Sequence, residues 1–258
     1  MTTAPATTLD GEASAGRLPV FLFATCLGDV AFPTLADDVR VALAAVDVDP
    51  TLPRGATCCG QPAFNAGHAD AARRVARTTL RALDHGDAPI VVPSGSCGAM
   101  MRLHWPGLFR GTKDEDRARR VAGRVVELTA LLAERRDRLA ARGPRWSGQV
   151  GWHHSCHMLR ELRLAAEPAA VLETVEGLEA VPLAGAERCC GFGGTFSVRY
   201  PDLSVAMADS KLDEIEQVGV HTLVSADPGC LMHLGGRLRR RGSQVRALHL
   251  ASLLREAL

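Results

Sequence analysis

Aromatic residues make up only 4% of this 258-residue sequence, with a single tyrosine. No complete strand–G-x-G-x-x-G–helix unit accompanies them, because "GFGGTF" (191–196) ends in Phe where the fingerprint needs Gly. A nicotinamide or flavin site is therefore not expected. Excess charge is also lacking: 30 basic against 29 acidic residues leave +1. Without a basic face or stripe, a nucleic-acid partner is not expected. No apolar run nears the roughly 20 residues that cross a bilayer, so no membrane span is expected. The opening "MTTAPATTLDGEASAG" has neither a basic start nor an apolar stretch, which argues against a secretory signal. Residues 1–17 read as a disordered tail. The protein is expected to be cytoplasmic, where thiols stay reduced.

What the chain does have is cysteine, at 26, 58, 59, 97, 156, 189, 190 and 230. Pairing Cys26 with Cys156, Cys58 with Cys189, Cys59 with Cys190 and Cys97 with Cys230 gives offsets of 130, 131, 131 and 133. The surroundings repeat too: "GATCCG" against "AERCCG", "IVVPSGSC" against "LVSADPGC". The chain is one unit written twice, and a fixed period of this kind sets the architecture. The expected domains are 18–145 and 146–258, the first with an insertion around "RLHWPGLFRGTKDEDRA".

Each half alternates short apolar runs with helical periodicity. "LPVFLFAT", "AVDVD", "APIVVPSG" and "RVVEL" read as strands of the first half; "QVGWHHS", "LEAVPL", "HTLVSA" and "QVRALHL" as those of the second. Leu35, Val39, Leu43 and Val46 mark one helix; Ala72, Val75, Ala76, Thr79, Leu80 and Leu83 mark the buried face of another. The expected class is α/β: two tandem repeats related by pseudo-two-fold symmetry, each a mainly four-stranded parallel sheet flanked by helices. Every cysteine then falls just beyond the carboxyl end of a strand, where open α/β sheets place their functional residues.

Four thiols converging at one sheet edge suit a metal. A single cysteine is often only a small buried hydrophobe, but that reading does not explain one pattern made twice. A vicinal disulfide at 58/59 would be strained and would leave Cys26 and Cys97 unexplained. Structural zinc usually draws on C-x₂₋₄-C knuckles, and none is present. An iron–sulfur cluster is bulkier, so separate loops and an adjacent pair can reach different corners of it. Gly60 in the first half, and Gly191, Gly193 and Gly194 in the second, would then allow tight turns and close backbone approach to the group.

These residues, C-x₃₁-CCG-x₃₆-C followed by C-x₃₂-CCG-x₃₈-C, resemble the cysteine-rich CCG domain, found duplicated in one component of heterodisulfide reductase and in components of glycolate and glycerol-3-phosphate oxidation systems. "CCGQPAFNAG", "PSGSC", "HHSCHM", "CCGFGGTFSV" and "GCLMHLGGRL" are more closely similar to the lactate utilisation A group, from about residue 18 to the end. The resemblance implies an iron–sulfur electron-transfer component of L-lactate oxidation to pyruvate. It would work with a LutB-like protein carrying ferredoxin-type clusters and a LutC-like protein. In the heterodisulfide reductase type the last cysteine opens a CxxC; here Met100 and His233 stand at the fifth-thiol positions. An ordinary four-thiolate [4Fe–4S] cluster per half, two in all, is the expectation. A heterodisulfide-reductase-like thiol/disulfide component and a non-redox zinc scaffold are the alternatives.

"HHSCHM" adds an asymmetry, since the first half has "FATCLG" there. His153 and His157 become candidates for holding a proton or a carboxylate near the second site, or with Cys156 for a zinc site, against the plainer reading of surface or hydrogen-bonded histidines. The run "KDEDRARR" reads as a solvated face or a docking surface.

Overall fold

The computed structural model describes residues 16–258, so the expected tail at 1–17 lies almost wholly outside the described residues. Strands β1 (Leu18–Leu22), β2 (Val48–Thr51), β3 (Ile90–Val92) and β4 (Val125–Glu127) form one sheet in the order β2-β1-β3-β4. Strands β5 (Arg145–Trp152), β6 (Glu176–Val181), β7 (Thr222–Ser225) and β8 (Arg246–His249) form the other, in the order β6-β5-β7-β8. Every pairing is parallel, including Phe21 opposite Ile90 in one sheet and Gly151 opposite Leu223 in the other. β3 and β7 are buried along their whole length, as strands covered on both faces are; β3 is wholly apolar and β7 is apolar at Leu223 and Val224 between a buried Thr222 and Ser225. β2 carries Pro50, which lacks a backbone N–H and is tolerated because that strand is at an edge.

The chain leaves β1 toward β2 on one side but returns to β3 on the other, and β5 with β7 repeats this. The loops after these strands diverge, opening a crevice at the carboxyl ends. Cys26 and Cys97 follow β1 and β3; Cys156 and Cys230 follow β5 and β7.

The two halves share an interior. One continuous apolar cluster joins Val20, Leu22, Val39, Leu43, Val91 and Leu132 to Val150, Trp152, Val171, Val224, Leu250 and Leu254. Helix Leu35–Ala45 packs on helix Leu250–Ala257 of the other half, and helix Glu167–Leu172 packs reciprocally on Leu128–Glu134, the exchange a pseudo-two-fold axis demands. Two further clusters stay within single halves, around Phe23, Leu80 and Trp105 and around Leu212, Leu223 and Leu234.

Two expectations need correction. Val75 is 41% exposed, while Ala72, Ala76, Thr79, Leu80 and Leu83 of the same helix are fully buried. The buried stripe is thus narrower than the periodicity suggested. "KDEDRARR" is not simply solvated: Asp114 is buried and accepts from Arg77 at 2.7 Å and Arg117 at 2.6 Å. It ties the insertion to helix Ala69–Leu83, since burying a carboxylate is tolerable only when it is paired.

Candidate metal centres

In each half one cysteine opens the turn after the first strand. Thr25 caps helix Cys26–Ala31 by accepting from the Gly28 N–H at 3.2 Å, and Ser155 accepts from Met158 at 3.3 Å beside Cys156. Cys97 and Cys230 sit in the first turns of helices Gly95–Ala99 and Pro228–Arg241. Ser94 caps one and Asp227 the other, which satisfies N–H groups that would otherwise be orphaned. A π-helical turn follows the Cys97 helix at Met100–His104, and another directly follows Cys156 at His157–Glu161.

The adjacent pairs lie on left-handed turns at Gly60 (φ +85°) and Gly191 (φ +88°). A Cβ there would meet the Ala72 carbonyl oxygen at 2.8 Å or that of Ser204 at 2.6 Å, so only glycine fits both the angle and the space. The turn also aims backbone donors at sulfur: Gly60 N–H toward Cys58 Sγ and Gly191 N–H toward Cys189 Sγ, both 3.4 Å, and Phe192 N–H toward Cys190 Sγ at 3.5 Å. Gly193 and Gly194 also adopt positive φ and line the neighbouring cavity.

All eight thiols are free and they converge as two quartets. Cys26 Sγ lies 3.6 Å from Cys58 Sγ, Cys59 is 3.3 Å from Cys97, and Cys190 is 3.2 Å from Cys230. Cys58 and Cys189 are pulled well below the ordinary thiol range, chiefly because Cys26 and Cys156 donate to them, with the adjacent cysteine and glycine N–H helping. Cys26, Cys59, Cys156 and Cys190 are pushed up by giving those hydrogen bonds and by burial. Such clustered thiols cannot all ionise unless a cation shares their charge, and thiolates are the ligands of soft and borderline metals. The donor set fits a metal group in both halves.

The quartets open onto one cavity of about 500 Å³, lined by Cys26, Cys59 and Cys97 from the first half and Cys156, Cys189, Cys190 and Cys230 from the second. Sequence reasoning put one site in each half; that both face a common space was not legible. The seam is closed by polar contacts. Asp227, besides capping its own helix, accepts from Ser94 Oγ at 3.2 Å and Ser96 N–H at 2.8 Å across the pseudo-axis. The Gln61 amide donates to the Ser96 carbonyl at 3.1 Å and meets His157 Nε2 at 3.2 Å; His104 pairs with Glu161 at 2.7 Å.

A model of the cysteine-rich CCG domain matches residues 20–102 and again 150–235. The chain is also 40% identical over 239 residues to lactate utilization protein A of Exiguobacterium sp., covering 92% of this chain and 97% of that one. This chain belongs to the lactate utilization protein A family. Members from Anoxybacillus flavithermus and Geobacillus sp. are 41% and 38% identical, over 91% and 92% of this chain and 98% and 99% of theirs.

Around its two CCG turns this family member is not symmetric. His153, fully buried, takes the place of Phe23. Burial, then the charge of Lys211, pushes its pKa down to about 3 and keeps the ring neutral. His157 instead lies on the cavity wall, so the two candidate histidines occupy different environments. The positions of the missing fifth thiols are not open: Met100 is fully buried in the first-half core. His233 Nε2 lies 3.2 Å from Ser204 Oγ, which itself donates to the Gly191 carbonyl at 2.8 Å and so braces the turn. Lys211 was missed by sequence reasoning. It is fully buried, donates to the Gly185 carbonyl, and its pKa is lowered by burial; the matching helix position in the first half is Thr79, which donates to the Cys58 carbonyl at 2.9 Å. It is one of only two lysines in an arginine-rich chain, but nothing in the string shows that it is buried.

Proposed function

We propose that this protein serves lactate utilisation as an iron–sulfur electron-transfer component, with one [4Fe–4S] cluster held by Cys26, Cys58, Cys59 and Cys97 and a second by Cys156, Cys189, Cys190 and Cys230. The convergence of four free thiols in each half carries the reading: neighbouring sulfurs lie 3.2–3.6 Å apart, too crowded to ionise together without a cation to share their charge, and the CCG turns aim backbone N–H groups at them. The lack of any C-x₂₋₄-C knuckle favours a cluster over structural zinc.

Bound there, such clusters would supply one-electron storage. The chain's own residues do the rest. The Gly60 and Gly191 turns bring N–H groups to the thiolates, which favours negative charge on sulfur. The shared cavity places the two quartets as neighbours, a suitable arrangement for passing electrons between them. His157, on the cavity wall beside Gln61 and 3.8 Å from Glu161, is the residue we assign to holding a proton or a carboxylate. The names of the relatives point to lactate utilisation, which we read as the oxidation of L-lactate to pyruvate, in the cytoplasm, with LutB-like and LutC-like partners.

Anaerobic purification with iron, sulfide and zinc analysis tests this. About eight iron and eight labile sulfide per chain are expected, together with lactate-dependent cluster reduction once the partner proteins are added. Zinc without sulfide would favour the scaffold alternative. Turnover of a disulfide substrate by the isolated chain would favour the thiol-reductase alternative.

A further inference from the structure

We propose that His153 is a direct metal donor at the second quartet, so that this site binds through nitrogen and sulfur while the first binds through sulfur alone. The inference rests on the reading that the quartets hold metal. It goes beyond that reading in making the two sites chemically unlike.

Three observations carry it. First, His153 is 0% exposed and, among the described residues, neither ring nitrogen has a hydrogen-bond partner. Buried polar groups are nearly always satisfied, because an orphan gives up its hydration with nothing in return. A metal bound at this site would answer it. Second, a ring nitrogen of His153, Cys190 Sγ and Cys230 Sγ all lie within 4.8 Å of one another, so one metal atom can be reached by all three. Third, the first half is an internal control. Phe23 stands at the same offset of 130 that relates Cys26 to Cys156, and its N–H bonds to Val91 as that of His153 bonds to Val224, at 3.0 and 2.8 Å. Phe23 packs in the same cluster as Cys59 and Cys97, the counterparts of Cys190 and Cys230. The same slot therefore holds an apolar ring in one half and an unpartnered imidazole in the other. If the slot needed only filling, phenylalanine would do so without an orphaned nitrogen.

Imidazole is a common donor to both iron and zinc, and a mixed histidine–cysteine set raises an iron–sulfur potential above that of an all-cysteine set. At a cluster whose irons each take one protein donor, the nitrogen at the end of β5 would stand in for one of the four thiols.

The test uses the full-length chain, purified anaerobically as wild type and as His153→Phe, which copies the first half. Metal and sulfide content are measured first. Iron is then probed by pulsed electron paramagnetic resonance of reduced protein labelled with ¹⁵N-histidine; any zinc is probed by K-edge absorption. The expected result is a directly coupled histidine nitrogen in wild type, or a nitrogen shell on zinc, lost in His153→Phe while the metal of the first quartet is retained. Metal-loaded quartets with sulfur donors alone, or nitrogen coupling that survives in His153→Phe, would overturn this inference and leave the iron–sulfur reading standing. A protein that takes up no metal would overturn both. The wild-type spectrum decides even where the variant folds poorly.

Discussion

Two glycines set the geometry of both sites. Gly60 and Gly191 combine a left-handed φ with a carbonyl oxygen under 3 Å from where a Cβ would stand. Gly191→Ala is expected to lower stability by about 1–3 kcal/mol and to reduce metal at the second quartet while sparing the first. Denaturant titration with metal analysis checks both, and equal loss at the two sites would contradict the assignment. The cysteines and these glycines were legible in the sequence because two copies of one spacing expose them. His153 was legible as an asymmetry, but its role was not: burial and the absence of a partner are properties of packing. Lys211 was invisible, since a buried lysine looks like any other until its neighbours are known.

Next to the elements that carry the site, the helices after β4 and β8 begin at buried caps whose chemistry differs between the halves. Glu127 caps helix Leu128–Glu134, accepting from Thr129 N–H at 2.7 Å and Ala130 N–H at 3.3 Å. Burial pushes its pKa up to about 8. Its counterpart His249 accepts from Ala251 N–H at 3.1 Å, and burial pushes its pKa down to about 4. The signs are opposite. Glu127 is held protonated, so its contribution is complete below the unfolded value of 4.5 and is lost as pH rises toward 8. His249 is held neutral, so its contribution is complete above 6.5 and is lost as pH falls toward 4. Of these two caps, only Glu127 has an effect between pH 6.5 and 8. Glu127→Gln, always neutral, should therefore gain stability relative to wild type as pH rises through that window. Thermal midpoints measured at each pH check this, and a pH-independent difference would count against a protonated Glu127. The strands carrying these caps were readable as short apolar runs. The opposite charge logic of Glu and His at matching caps was not, because it depends on complete burial.

At the scale of the molecule, the halves cannot be parted without exposing apolar surface. Val39, Leu43 and Leu132 of one half share a cluster with Trp152, Leu250 and Leu254 of the other, and Asp38 reaches across to Ser252 at 2.6 Å and Arg255 at 2.7 Å. Burying apolar area is the main favourable term in folding, at about 25 cal/mol per Å². Segments 18–145 and 146–258 produced separately are expected to lack a cooperative unfolding transition, and the intact chain to unfold in one step. Circular dichroism on heating measures this; two independent melts would show that each half has a sufficient core of its own.

By itself the sequence determined the duplication, the strand and helix order and the eight thiols, because spacing and periodicity are local and survive in a linear string. Only the tertiary structure decided that both quartets face one cavity, that the halves share an interior, and that His153 lies buried without a partner beside Cys190 and Cys230. Those facts depend on which surfaces the fold removes from water and brings together across more than a hundred residues of chain, and no local pattern encodes that.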